Sequence, residues 1–177
     1  ENPEVHPLEK EIVIDGANVL VFGMGRIGKG VCSSLCQGPE WKPLGFDYSP
    51  EVVSSLQGYE FSVELGDGTN PDFWSRIDMS TSDIRIVVLA LPLAKQNIKV
   101  ARALRFEGYR GPISSVAKYL DEIEELQHAG IDRAFYLYAE AGFGFAESSK
   151  QLLEELEEKK KCEGRAVPPQ TIVDPEN

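Results

Sequence analysis

The sequence predicts an α/β fold in which a six-stranded, mostly parallel sheet lies between two layers of helices, and three observations carry that prediction. Short apolar, β-branched runs alternate with helical stretches along most of the 177 residues, and right-handed crossovers turn such an alternation into helices on both faces of a parallel sheet. The runs are nearly continuous in hydrophobicity, as strands covered on both faces are. A glycine-rich turn, Gly23-Met24-Gly25-Arg26-Ile27-Gly28, directly follows the first of them.

Taken in order, residues 1–14 are polar and read as a leader or linker, without the basic and then apolar organisation of a signal peptide. Asn18–Phe22 is the first strand, and the helix Arg26–Cys36 follows with Ile27, Val31 and Leu35 on one stripe. Pro43–Asp47 is the second strand. Ser49 and Pro50 are the cap and first position of a helix to Gln57, and Phe61–Glu64 is the third strand. Asn70-Pro71 opens a short helix through Trp74. Ile84–Leu91 is the most apolar strand and so central, and Pro92 ends it. A helix over Lys95–Phe106, a strand over Pro112–Val116 and a helix over Asp121–Ala129 come next, with Gly130 placed to stop the last. Ala134–Tyr138 is the sixth strand, Gly142-Phe143-Gly144 a loop, and a final helix runs from about Phe145 into the charged stretch Glu154–Lys161. The expectation is a Rossmann-type three-layer sandwich with strand order 3-2-1-4-5-6, one domain over residues 15–160 and a flexible polar tail over 161–177.

Composition narrows the function. Eighteen basic against 29 acidic side chains give a net charge of −11, a field that repels nucleic acid and anionic lipid surfaces. The longest apolar run, Ile86–Ala94, contains Pro92 and falls well short of the ~20 residues of a membrane helix. Three cysteines, Cys32, Cys36 and Cys162, are too few and odd in number for a disulfide framework and fit a reducing cytoplasmic setting. Cys32 and Cys36 read as buried or half-buried thiols rather than metal ligands.

The glycine turn carries the chemistry. Gly23 allows a tight turn after the strand, Gly25 removes a side chain that would block a phosphate, and Gly28 lets the helix approach the strand. Free N–H groups at the helix start then attract an anion. Arg26 either adds a charge to that contact or points to solvent. Asp47 ends the second strand 24 residues after Gly23, close to the spacing expected of an acid that accepts hydrogen bonds from ribose hydroxyls, and its charge disfavours a 2′-phosphate. Tyr48 stands beside it. Asp67, Gly68 and Thr69, in the loop after the third strand, either line the adenine or ribose pocket or serve as turn and cap residues. Leu91, Pro92 and Asn97, just past the fourth strand, would form the opposite wall by topology. A mononucleotide and a dinucleotide use the same phosphate turn, and an empty Rossmann shell is the bland alternative.

Val-Leu-Val-Phe-Gly23-Met-Gly25-Arg-Ile-Gly28, the strand end at Asp47, Gly66-Asp67-Gly68-Thr69-Asn-Pro-Asp-Phe and Ala139-Glu140-Ala-Gly142-Phe-Gly144-Phe-Ala together resemble the potassium-transport nucleotide-binding domain called TrkA-N, KTN or RCK-N. The likeness is nearest to the cytoplasmic domains of Kef-type, glutathione-gated potassium efflux proteins and covers roughly residues 15–153. It implies a six-stranded Rossmann fold that binds AMP, NAD(H), ADP or ATP, pairs into homodimers and gates an attached membrane channel or transporter from the cytoplasmic face of the inner membrane. It also implies that Gly23, Gly25, Arg26 and Gly28 meet phosphate, Asp47 the ribose, and Asp67 and Thr69 the adenosine end. Gly68 departs from the alanine usual in the family, and Leu120 from a proline common in the subgroup. No residue pattern for glutathione can be placed, which leaves that ligand open.

A nicotinamide enzyme needs further groups to hold substrate and move a proton. His6 lies in the leader, His128 sits near a helix end, and the serine pairs Ser33-Ser34, Ser54-Ser55 and Ser114-Ser115 have no adjacent base. A sensor without catalysis is therefore expected, with an NAD-dependent oxidoreductase or its cofactor-binding fragment as the alternative. Leu152, Leu153 and Leu156 on the final helix would either pack on a partner or cover the domain's own sheet.

Overall fold

The computed structural model describes residues 11–79 and 83–163. Six strands alternate with six helices: β1 (Val19–Phe22), α1 (Arg26–Leu35), β2 (Pro43–Asp47), α2 (Pro50–Ser55), β3 (Ser62–Leu65), α3 (Pro71–Trp74), β4 (Ile86–Leu89), α4 (Ala94–Phe106), β5 (Ile113–Ala117), α5 (Asp121–His128), β6 (Arg133–Tyr136) and α6 (Leu137–Glu163). The strands form one sheet in the order β3-β2-β1-β4-β5-β6. Every pairing is parallel, with Val21 between Gly45 and Val88 at the centre.

Side-chain alternation along the strands divides the core between two faces. Leu20 and Phe22 of β1 join Leu44, Phe46, Val87 and Leu89 under α3, α4 and α5. Val19 and Val21 point the other way, onto Met24, Cys32, Leu56 and Val63 beneath α1 and α2. Both faces of β1 are covered, and its four residues are an unbroken apolar run, whereas the edge strands expose Ser62, Glu64 and Leu65 of β3 and Arg133 and Phe135 of β6. Burial pushes the Cys32 thiol up to about 12, with Cys36 beside it adding to the shift. Cys36 is half-buried, and Cys162 is exposed on α6.

Local signals behave as their chemistry requires. Ser49 Oγ accepts from the Val52 N–H at 3.3 Å and Asn70 Oδ1 from the Asp72 N–H at 3.0 Å, each capping a helix that opens on proline. Gly130 follows α5 with φ +88°, the left-handed stop.

The structure differs from the sequence expectation at several places, among them the sixth strand, which ends at Tyr136 while Leu137 and Tyr138 of the expected Ala134–Tyr138 open α6. β4 is shorter than Ile84–Leu91, because beyond Ala90 the backbone of Leu91 bonds to the Asn97 carboxamide instead of a neighbouring strand. The loop expected at Gly142-Phe143-Gly144 is helix. Neither glycine has positive φ and a Cβ on either would meet nothing, so α6 passes through them at a cost of about 1 kcal/mol each relative to alanine. The buried line of α1 is Gly28 and Cys32, while Val31 and Leu35 pack at its margin, since α1 turns its glycine toward the strand. Finally, Ile12 and Ile14 of the expected leader are buried in the core, and the Ile12 N–H donates to the Arg76 carbonyl at 2.8 Å. Residues 1–10 of that leader and 164–177 of the expected tail lie outside the described residues.

Tertiary contacts divide the chain into two units, Glu1–Leu137 and Tyr138–Asn177. The described part of the second is the rest of α6, on which Phe143, Phe145, Leu152, Leu153 and Leu156 are exposed. Among the described residues no helix is long and apolar enough to cross a membrane.

The buried Ile12 yields a test. Ile12→Ala should lower unfolding free energy by about 2–4 kcal/mol in urea titrations, whereas Val13→Ala, at a side chain 66% exposed, should stay within about 0.5 kcal/mol.

Candidate functional site

At the end of β1 the chain turns at Gly23, whose φ of +91° excludes most side chains. A Cβ there would come within 2.8 Å of the Ala90 carbonyl oxygen. A Cβ on Gly28 would overlap the Gly23 carbonyl oxygen, so α1 rests directly on the turn. Conformation and packing thus dictate two of the three glycines.

Gly25 is different. Its φ of −69° and ψ of −162° are extended backbone that any residue adopts, it is exposed, and a Cβ on it would meet no atom within 4 Å. It is the N-cap of α1, yet it supplies no side-chain cap, and the first turn holds no acidic residue. The opening N–H groups of α1 therefore have neither an intrahelical acceptor nor an acidic side chain in their own turn, at the positive end of the helix dipole. Bare amides facing open space are suited to an anion with several acceptor oxygens.

Asp47, at the end of β2, stands beside this turn. Its side chain is buried to 9% exposure; Oδ2 accepts from the Met24 N–H at 2.8 Å and Oδ1 from the Ser49 N–H at 2.9 Å. Each carboxylate oxygen has a further lone-pair direction, so the group is fixed in place and still able to accept from two hydroxyls. Of Met24 only the backbone faces the turn, because its side chain is buried over Gly45 and near Cys32. Arg26 is exposed and Ile27 half-buried.

The loop after β3 adjoins Asp47, whose backbone carbonyl accepts the Gly66 N–H at 2.9 Å. Asp67 Oδ1 accepts both the Thr69 N–H at 2.9 Å and its hydroxyl at 2.7 Å, so these two side chains build the turn, and of the two Asp67 lines the adjoining groove. The structure explains Gly68: a Cβ there would lie 2.8 Å from the Phe22 ring, which fills the space an alanine needs. Trp74 holds this loop from below through its indole N–H on the Gly68 carbonyl, at 2.8 Å. Sequence reasoning missed Trp74, because a buried aromatic on a short helix has no signature apart from packing.

On the other side, Leu91 is half-buried and Pro92 exposed. Asn97 is almost wholly buried, and its carboxamide clasps Leu91, accepting from the N–H at 3.1 Å and donating to the carbonyl at 3.3 Å. Both of these bonds are spent within the protein. A groove of about 560 Å³ opens at the β3 edge, where Tyr48, Gly66 and Asp67 meet Ile12, Asn70 and Phe73. It adjoins the Asp47 end of the site, and the glycine turn is not part of its lining. Among the described residues no group of His, Cys, Asp and Glu is arranged to hold a metal ion.

The contrast between the glycines is measurable. Gly28→Ala should cost at least about 2 kcal/mol of unfolding free energy through overpacking, while Gly25→Ala should cost less than about 1 kcal/mol, both read from denaturant midpoints.

The solved structures with this fold include the NAD(P)-binding domain of an exopolyphosphatase-related protein from Archaeoglobus fulgidus, at 21% identity and a TM-score of 0.67 over 76% of this chain and 98% of that one. The TrkA-N domain of the inner membrane protein ybaL from Escherichia coli matches at 19% identity and a TM-score of 0.57, over 80% and 98% of the two chains. The Kef C-terminal domain from Shewanella denitrificans in its AMP-bound form matches at 17% identity and a TM-score of 0.61, over 76% and 80%. No curated protein matches in sequence. Residues 19–137, from the first residue of β1 to the first residue of α6, match the TrkA-N domain family; the chain belongs to that family.

Proposed function

We propose that this chain is a regulatory domain that binds an adenine nucleotide, AMP or NAD(H) with ADP or ATP as further candidates, and gates an associated potassium channel or efflux transporter. One observation carries the ligand half of this reading: beyond a glycine's modest preference for an N-cap, Gly25 has neither a positive φ nor a close contact that demands glycine, and it borders the uncapped amides of α1. A phosphate explains its small size. Asp47, braced by two backbone N–H groups, then takes the ribose hydroxyls.

Family membership and two relatives of the same fold, one an NAD(P)-binding domain and one solved with AMP, support the choice of ligand. The regulatory half rests on the family resemblance. Nucleotide binding then acts by differential affinity for two arrangements of the protein, without turnover. A homodimer joined to a membrane protein at the cytoplasmic face is the assembly this role requires.

The test uses the open space at Gly25. Gly25→Val should melt within a few degrees of the parent protein without ligand. With AMP or NAD at about 100 times Kd, the parent should gain roughly 2.7 kcal/mol and the variant should gain none. A variant that is stabilised as strongly as the parent would refute the phosphate position, and a parent indifferent to AMP, ADP, ATP, NAD and NADH alike would refute nucleotide binding.

A further inference from the structure

The site has two arms, and both stand on one aromatic floor. Phe22 immediately precedes the glycine turn and Phe46 immediately precedes Asp47; their rings stack at 5.2 Å between centroids. Phe73 meets both edge-on, at 5.7 and 5.1 Å, and Trp74 lies 5.8 Å from Phe22 and 4.9 Å from Phe73. The loop after β3 is pressed onto this floor: Gly66 has no room for a Cβ against Phe73, nor Gly68 against Phe22.

Within the cluster Trp74 alone carries a polar atom, and that atom is used. Its Nε1–H donates to the Gly68 carbonyl, fixing the middle of the loop that begins with the Gly66–Asp47 backbone bond. A base attached to a ribose at Asp47 reaches outward along this loop and the adjoining groove, where Tyr48 and Asp67 are exposed. Trp74 is itself 5% exposed, with its indole N–H already spent on protein.

We propose that Trp74 is a positioning residue for recognition of the base, an inference that rests on the nucleotide reading above. By holding the Gly68 carbonyl it sets the height of the Asp67–Thr69 turn relative to Asp47. The bond therefore contributes to affinity for ligands that carry a base, and not to affinity for the sugar phosphate alone.

Trp74→Phe keeps a ring in the cluster and deletes the N–H. In calorimetric titrations of the full chain, AMP affinity should fall about three- to tenfold, the range expected for one net hydrogen bond, while ribose 5-phosphate affinity stays unchanged. Equal loss for the two ligands, or no loss for AMP, would overturn the assignment. Should the parent protein bind neither ligand, the nucleotide reading itself fails, an outcome distinct from a failure of Trp74 alone.

A second measurement leaves Trp74 in place. In Trp41→Phe, altered at the opposite end of the sheet where Trp41 packs against Arg85, Trp74 is the remaining tryptophan. Its emission should shift with saturating AMP and stay constant with ribose 5-phosphate. Constant emission in both titrations would contradict the proposal.

Discussion

Helix α1 approaches the end of β1 so closely that nothing larger than hydrogen fits at Gly28 beneath the Gly23 carbonyl, and the rest of the site follows from that contact. It fixes where the helix begins, and hence where its unsatisfied amides lie: at the carboxyl ends of the strands, between the halves of the sheet that diverge from β1 toward β2 and toward β4. An open sheet places its ligand crevice at such a point. The same contact sets Met24 so that its side chain enters the core and its N–H meets Asp47. One close packing thus aligns a patch of positive potential with a fixed carboxylate.

The two halves of the candidate site differ in how they are held. The turn and Asp47 are joined by backbone hydrogen bonds, among them Gly23 N–H to the Phe46 carbonyl at 2.8 Å, which leave little freedom. The loop after β3 depends instead on aromatic packing and the Trp74 bond, with Asp67 and Thr69 closing on each other. Pairs of aromatic rings contribute on the order of 0.5–1.5 kcal/mol each beyond their buried area, so a cluster of four rings beneath the loops is a substantial local support. Under the proposed function, a ligand that spans both halves would meet uncapped amides at one end and the acidic and aromatic side chains of Asp67 and Tyr48 at the other.

The central strands were legible in the sequence because burial on both faces demands continuous apolar runs, and Val19–Phe22 and Ile86–Leu89 supply them, while the strand order followed from the strand–helix alternation around a glycine-rich turn. Ser49, Asn70 and Gly130 marked helix ends by chemistry that acts within three or four residues. What escaped notice depends on partners distant in sequence. Ile12-Val13-Ile14 is an apolar run too short to stand out at the end of a polar leader until the segment through Arg76 and Ile77 is brought against it. The glycines at 142 and 144 resemble a loop, but a long helix tolerates them. Met24 sits inside a ligand motif, and only the gap left by Gly45 shows that its side chain belongs to the core. Gly68 departs from the family pattern because Phe22, 46 residues earlier, occupies the space.

In the proposed complex the uncapped amides of α1 hold the phosphate while Asp47 holds the sugar. Titration of the 15N-labelled chain with AMP, followed by amide chemical shifts, tests it most directly. The amides of Gly25, Arg26 and Ile27 should show the largest saturable changes, together with those of Met24 and Ser49, which donate to Asp47. Saturable binding that leaves these five resonances in place while others move would contradict the account.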